Sequence, residues 1–154
     1  MTETGRSLDD LTGAIVDAAY KLHVGLGPGL LESVYEAVLA RDLQRRGFHV
    51  ERQKSISFAY EGLQFIDCFR VDLFVASQVP VEIKSVEKLS PVHSKQLHTY
   101  LRLLNLPVGL LINFGEATLK SGLKRVVNGL PSSASPRLRV NNQTIEAVRD
   151  GKVL

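Results

Sequence analysis

Two apolar runs, VDLFV at residues 71–75 and VPVEI at residues 79–83, each read as a buried strand, and each carries a carboxylate. Asp72 stands ten residues before Glu82, and Glu82 two before Lys84. A charge is costly to bury without a partner. A chain with this pattern has to provide partners for three charges at or near the ends of two strands. A metal ion between two carboxylates, with a lysine beside them, is one such arrangement, and it would give a site suited to hydrolysing a phosphodiester.

If the two runs pair in one sheet, alternation puts Glu82 and Lys84 on the same face and lets Asp72 approach Glu82. The Ile83 peptide oxygen points sideways between them. Two carboxylates and a carbonyl make an all-oxygen site that suits a hard cation such as Mg²⁺, with Mn²⁺ as a substitute. Such a cation polarises a phosphoryl oxygen and lowers the pKa of bound water. Lys84 would orient the attacking water or stabilise transition-state charge. The plainer alternative is that Glu-x-Lys is an ordinary charge pair and that Asp72 only ends a strand; motifs this short often match by chance.

The order of elements is helix, helix, several strands, helix, strand. Ser7 and Asp10 form a capping-box variant, followed by Leu8, Leu11, Ile15, Ala18 and Leu22 at helical spacing; this helix is expected to stop near Gly25. A second helix follows Pro28-Gly29, with Leu31, Val34, Tyr35, Val38, Leu39 and Leu43 as its apolar stripe and Gly47 closing it. FHVER, SISFAY and the segment around LQFID read as short strands before RVDLFV and VPVEIK. Ser90-Pro91 opens a third helix that runs to about Leu104. VGLLINF is a near-continuous apolar run that fits a central strand, and LKRVV fits a final edge strand. This order implies an α/β domain with a mixed sheet flanked by helices, spanning residues 1–130. Residues 131–154 begin with PSSASP and read as a peripheral tail.

Two helices offer further site candidates. Glu32 lies in the first turn of the second helix, where the helix dipole alone favours a carboxylate; alternatively it is a third acidic group of the same cluster. His93, Gln96 and Tyr100 share one side of the third helix. Gln96 could order Lys84 or a water there, although a helical Gln is usually solvated. The four histidines show no zinc spacing, and Cys68 has no histidine partner at a diagnostic spacing, which favours a structural role.

Charge is unevenly divided. Residues 1–77 hold 8 Lys/Arg and 11 Asp/Glu, a balance of −3, whereas residues 78–154 hold 11 and 5, a balance of +6. The basic half suits a polyanionic partner. Lys88, Lys95 and Arg102 near the third helix, and Lys120, Lys124 and Arg125 near the final strand, are candidates for phosphate contacts; the alternative is a solvated surface. A single cysteine rules out an internal disulfide framework, and no run is long enough to span a membrane. With an N-terminus unlike a signal peptide, these features point to the cytoplasm.

The stretch GPGLLESVYEAVL contains Gly29, Glu32 and Tyr35 in the pattern that names the GxxExxY proteins. The likeness continues through RVDLFV, VPVEIKSVEKLSPVHSKQLHTYLRLLNLPVGLLINFG and LKRVV, over about residues 8–128. The chain thus resembles that family, which looks like a branch of the PD-(D/E)XK nuclease superfamily. The resemblance implies a restriction-endonuclease-like core, with a mixed central sheet of about four strands flanked by helices. It also implies that Glu32 is the acidic helix residue, Asp72 the motif aspartate, Glu82 and Lys84 the Glu-x-Lys pair, and Gln96 the helix glutamine. Val71 stands where the superfamily name has proline.

Two functions follow as expectations. One is a Mg²⁺-dependent nuclease acting on DNA, or less readily RNA, with Glu32, Asp72, Glu82 and the Ile83 carbonyl holding the metal. The other is a nucleic-acid-binding or regulatory module that keeps the fold without cutting. The chain's size and tail would suit a homodimer or a protein partner.

Overall fold

The structure is a computed structural model that describes residues 6–129. The expected tail, residues 131–154, lies outside the described residues. The elements in chain order are α1 (Leu8–Leu26), α2 (Glu32–Arg45), β1 (Val50–Tyr60), β2 (Leu63–Val75), β3 (Val79–Lys84), α3 (Pro91–Leu104), β4 (Val108–Asn113), α4 (Leu119–Gly122) and β5 (Leu123–Val127).

One five-stranded sheet has the order β1-β2-β3-β4-β5. Only β3 and β4 run parallel, joined through α3, and the other neighbours are antiparallel. This is the mixed, helix-flanked sheet expected, with five strands rather than about four. The short runs read as separate strands fuse into a hairpin of an 11-residue β1 and a 13-residue β2. Glu61 and Gly62, both with positive φ, turn this hairpin. β3 pairs with β2 only from Leu73 to Val75, so most of the hairpin extends past β3.

The helix starts follow their caps. The Ser7 hydroxyl accepts from Asp10 N–H while the Asp10 carboxylate accepts from Ser7 N–H, which satisfies two donors left free at the helix start. Ser90 caps α3 in the same way, with His93 Nδ1 accepting from Ser90 N–H and Pro91 in the first turn. α1 continues to Leu26, slightly beyond Gly25, and closes at Gly27.

Alternation divides the sheet residues between two layers. Leu73, Val75, Val79, Val81, Ile83, Val108, Leu110 and Ile112 join Leu11, Ile15, Ala19, Tyr35, Leu39 and Leu43 in one core. α1 and α2 therefore cover the face that carries Val81 and Ile83. The opposite face carries Pro80, Glu82 and Lys84, whose β4 neighbours include Leu111 and Asn113. α3 covers that face. It approaches so closely at Gly109 that an added Cβ would lie 3.1 Å from Leu97 Cδ1 and 3.3 Å from Leu101 Cδ2. A Cβ there would also lie 3.2 Å from Pro80 O, so Leu97 and Leu101 would have to give by a few tenths of an ångström.

The stripe expected on α2 is partly wrong. Tyr35, Leu39 and Leu43 are buried, whereas Leu31, Val34 and Val38 are 75%, 37% and 41% exposed. Apolar residues occupy two sides of this helix. The large Tyr35, stacked on Phe114 with ring centroids 4.4 Å apart, settles which side turns inward. Cys68 is exposed, and its Sγ donates to Ile56 O at 3.2 Å.

Candidate active site

The Asp72 and Glu82 strands part where the two residues would meet. The ladder between β2 and β3 ends at Leu73 and Val81, one position short of pairing Asp72 with Glu82. In place of the next backbone bond, Asp72 Oδ2 accepts from Ile83 N–H at 2.8 Å. The carboxylate thus fills the opening between the strands. Its other oxygen, Oδ1, accepts from Gln53 Nε2 at 3.1 Å.

Glu82 is buried, at 8% exposure, and its Oε1 has no hydrogen-bond partner among the described residues. Burial pushes its carboxyl up from the usual 4.5 to about 8; the Asp72 charge adds to the rise and Lys84 opposes it. Such a group is expensive to leave unsatisfied. Two neighbouring carboxylates, one of them with a free buried oxygen, fit a hard divalent cation by donor chemistry.

Of the other expected residues, Lys84 is half-buried at the end of β3, where its carbonyl accepts from Phe114 N–H at 2.8 Å. The Ile83 amide is engaged with Asp72. Glu32 does not join the carboxylate pair. It is exposed, and its Oε1 accepts from Ser85 N–H at 3.3 Å, one residue beyond Lys84. Among the described residues no three acidic, histidine or cysteine side chains converge as a metal site. The reason is local. Glu32 sits at the start of α2 and reaches the rim of the sheet, and the Glu36 carboxylate, one turn later and buried, shares the Gln53 amide with Asp72.

Tyr35 explains how the Gly29–Tyr35 motif positions that rim. Its hydroxyl donates to Gly27 O at 2.6 Å and accepts from Leu30 N–H at 3.1 Å. Gly29, at φ 101°, takes a backbone conformation that disfavours side chains. The loop so tied presents Leu30 O to the Ser85 hydroxyl at 2.6 Å. α2 is thereby fastened to the residue that follows Lys84.

α3 presents two flanks. On one, Gln96 is exposed and lies beside Tyr100, whose phenol it holds down against the other influences on it. Tyr100 stacks on Phe69 of β2 at 4.0 Å. Burial raises the Tyr100 phenol, and the charges of Glu82 and Asp72, on the same side of α3, raise it further. On the other flank, Lys95, His98 and Arg102 line a shallow groove with Val126 of β5. Lys95 and Arg102 therefore lie across α3 from the carboxylates. Lys88 is exposed in the segment before α3. Lys124 pairs with Leu111, on the α3 face, but Arg125 pairs with Leu110, on the α1 face, and Arg125 Nη2 meets Asp9 Oδ1 at 3.2 Å. Strand alternation thus puts Lys124 and Arg125 on opposite faces of the sheet.

Sequence reasoning missed Asn113, Gln53 and Glu36, and gave Tyr100 no role beyond its helix face. Asn113 is fully buried. Its Oδ1 accepts from Val86 N–H and Gly115 N–H, both at 3.0 Å, and its Nδ2 donates to Val86 O at 2.8 Å. This clamp holds the segment that follows Lys84. Its only sequence signal is a polar residue inside the apolar run VGLLINF.

The family model of the PD-(D/E)XK nuclease superfamily matches residues 9–126, from α1 into β5. No curated protein and no solved structure gives a significant match. The family match covers most of the chain, and it includes the two strands that bring Asp72 and Glu82 together. The chain belongs to the PD-(D/E)XK nuclease superfamily.

Proposed function

We propose that this protein is a Mg²⁺-dependent nuclease that hydrolyses phosphodiester bonds of DNA in preference to RNA. Members of the superfamily are generally nucleases that use divalent metals. The observation that carries the reading for this chain is the buried, unpartnered Glu82 Oε1 beside Asp72, with Lys84 two residues on.

Asp72 and Glu82 would hold the cation, with the Ile83 carbonyl as a neutral donor and Glu32 contributing through a water from its place beside Ser85. When bound, a divalent cation polarises a phosphoryl oxygen and eases deprotonation of the attacking water. Lys84 would hold that water or offset charge on the phosphoryl group. Gln96, beside Tyr100, would keep the α3 side of the site polar while the Phe69–Tyr100 stack limits solvent. Lys88 and Lys124, and Lys95 and Arg102 across α3, would contact phosphates away from the bond cut. Arg125 would do so only after leaving Asp9. Such contacts weaken steeply with salt.

No helix among the described residues is long and apolar enough to cross a membrane. With a single cysteine in the chain, the reducing cytoplasm suits the protein.

The test is incubation with single-stranded, duplex and branched DNA and RNA, in Mg²⁺, Mn²⁺ or EDTA. Cleavage that needs the metal and is lost in Asp72→Asn supports the proposal. Binding without cleavage on every substrate would replace it with a non-cutting module.

A further inference from the structure

Gln53 stands where the ladder between β1 and β2 is interrupted. Arg52 pairs with Leu73 and Lys54 with Val71, so Gln53 falls opposite Asp72, yet that pair is missing from the ladder. Gln53 has φ 49°, the left-handed region that a residue with a side chain rarely adopts. Strain of this kind persists only where the surroundings impose it, and it gathers at functional positions. Here the conformation accompanies a specific result. Gln53 Nε2 donates at 3.0 Å to Glu36 Oε2 and at 3.1 Å to Asp72 Oδ1. The amide nitrogen, rather than its oxygen, faces both carboxylate oxygens, which accept.

The chain of contacts runs on from there. Glu36 is buried on α2, and Arg52 Nε lies 3.5 Å from its Oε1. Asp72 uses its second oxygen on Ile83 N–H. One amide therefore joins a fixed, buried carboxylate on α2 to the carboxylate that fills the opening beside Glu82. Asp72 is held through both oxygens, one by Gln53 and one by the β3 backbone.

We infer that Gln53 is a positioning residue: its amide, anchored on Glu36, orients the Asp72 carboxylate toward Glu82. The inference rests on the reading of Asp72 and Glu82 as the cation site. It assigns the link between α2 and that site to Glu36 and Gln53, whereas Glu32 links α2 to Ser85. Partners that orient metal ligands commonly change metal affinity 10–100-fold when removed, by order of magnitude.

Gln53 is exposed, so its replacement leaves the core in place. Gln53→Ala and Gln53→Gly both delete the amide, but only glycine relieves the left-handed backbone. Two measurements on the full chain test the inference. One is calorimetric titration with Mn²⁺, using Asp72→Asn as the control that lacks the site. The other is hydrogen exchange of the Ile83 amide in metal-free protein, where Asp72 orientation is read without any cation. Both variants are expected to bind Mn²⁺ about tenfold more weakly. Both should exchange the Ile83 amide about fivefold faster, as follows from weakening one hydrogen bond. Gln53→Gly should melt at a higher temperature than Gln53→Ala, although their Mn²⁺ affinities agree. A purely structural role would make affinity follow melting temperature instead, and that result would overturn the inference. Unchanged Ile83 exchange in both variants would also overturn it. If the wild-type protein binds no Mn²⁺, the cation reading fails and the Ile83 exchange alone decides whether Gln53 positions Asp72.

Discussion

Asp72 Oδ2 accepts the Ile83 backbone N–H at 2.8 Å, and this one bond replaces a rung of the sheet at the level of Glu82. It shapes the site and stabilises the fold at once. In Asp72→Ala the Ile83 amide loses its partner at a half-buried position, which costs about 1–3 kcal/mol. Asp72→Asn keeps an oxygen acceptor and should lose less than half of that. Both should abolish cleavage. Urea unfolding of the two variants beside an activity assay separates the effects.

Glu82 gives the metal-free protein an inverted pH response. Its folded-state carboxyl sits at about 8, above the 4.5 of an unperturbed glutamate, because burial and Asp72 disfavour its charge. The folded state therefore keeps this proton where the unfolded chain has lost it. The contribution of Glu82 to stability is complete below about pH 4.5 and is lost as the pH rises toward 8, at no more than about 1.4 kcal/mol per pH unit. Glu82→Gln should flatten this decline. Denaturant midpoints from pH 5 to pH 9, in EDTA, test it; equal slopes for the two proteins would remove Glu82 as the cause.

Lys84→Met should separate binding from chemistry. The lysine is not a donor to a cation, so calorimetry should still detect Mn²⁺. Cleavage should fall by about 10²-fold or more, the usual cost of deleting a group that stabilises transition-state charge.

Tyr35→Phe removes the hydroxyl that ties Gly27 O to Leu30 N–H. The ring stack on Phe114 survives, so the expected loss is about 1–2 kcal/mol. Because the same loop carries Leu30 O to Ser85, the Ser85 amide resonance should shift in the NMR spectrum.

Asn113→Leu fits the apolar strand by volume but strands Val86 N–H, Val86 O and Gly115 N–H. A loss of about 2–4 kcal/mol is expected, read by thermal or urea unfolding. Val34→Ser and Val38→Ser, by contrast, should change stability by less than about 0.5 kcal/mol, because both side chains are well exposed.

Those two groups of residues show where sequence reading succeeds and where it stops. Ser7–Asp10 and Ser90–Pro91 mark helix starts because capping is local chemistry. Glu82 and Lys84 share a face by strand alternation alone, and Lys124 and Arg125 are divided by the same rule. The rotation of α2 is different. Leu31, Val34 and Val38 compete with Tyr35, Leu39 and Leu43 for burial, and the choice depends on Phe114, far along the chain. Gln53 carries no local signal either. Its left-handed backbone is accompanied by two carboxylates, one from a helix and one from a neighbouring strand. Glu32 fits a third carboxylate in the sequence because its place in the helix is visible there, whereas its partner Ser85 is not.

Diffraction from a crystal soaked in Mn²⁺ would locate a divalent cation held by Asp72 and Glu82. An anomalous peak is expected about 2.0–2.4 Å from Glu82 Oε1 and from an Asp72 oxygen, within the range for oxygen ligands of such cations. Strong Mn²⁺ peaks elsewhere on the protein, with none between these two carboxylates, would contradict that expectation.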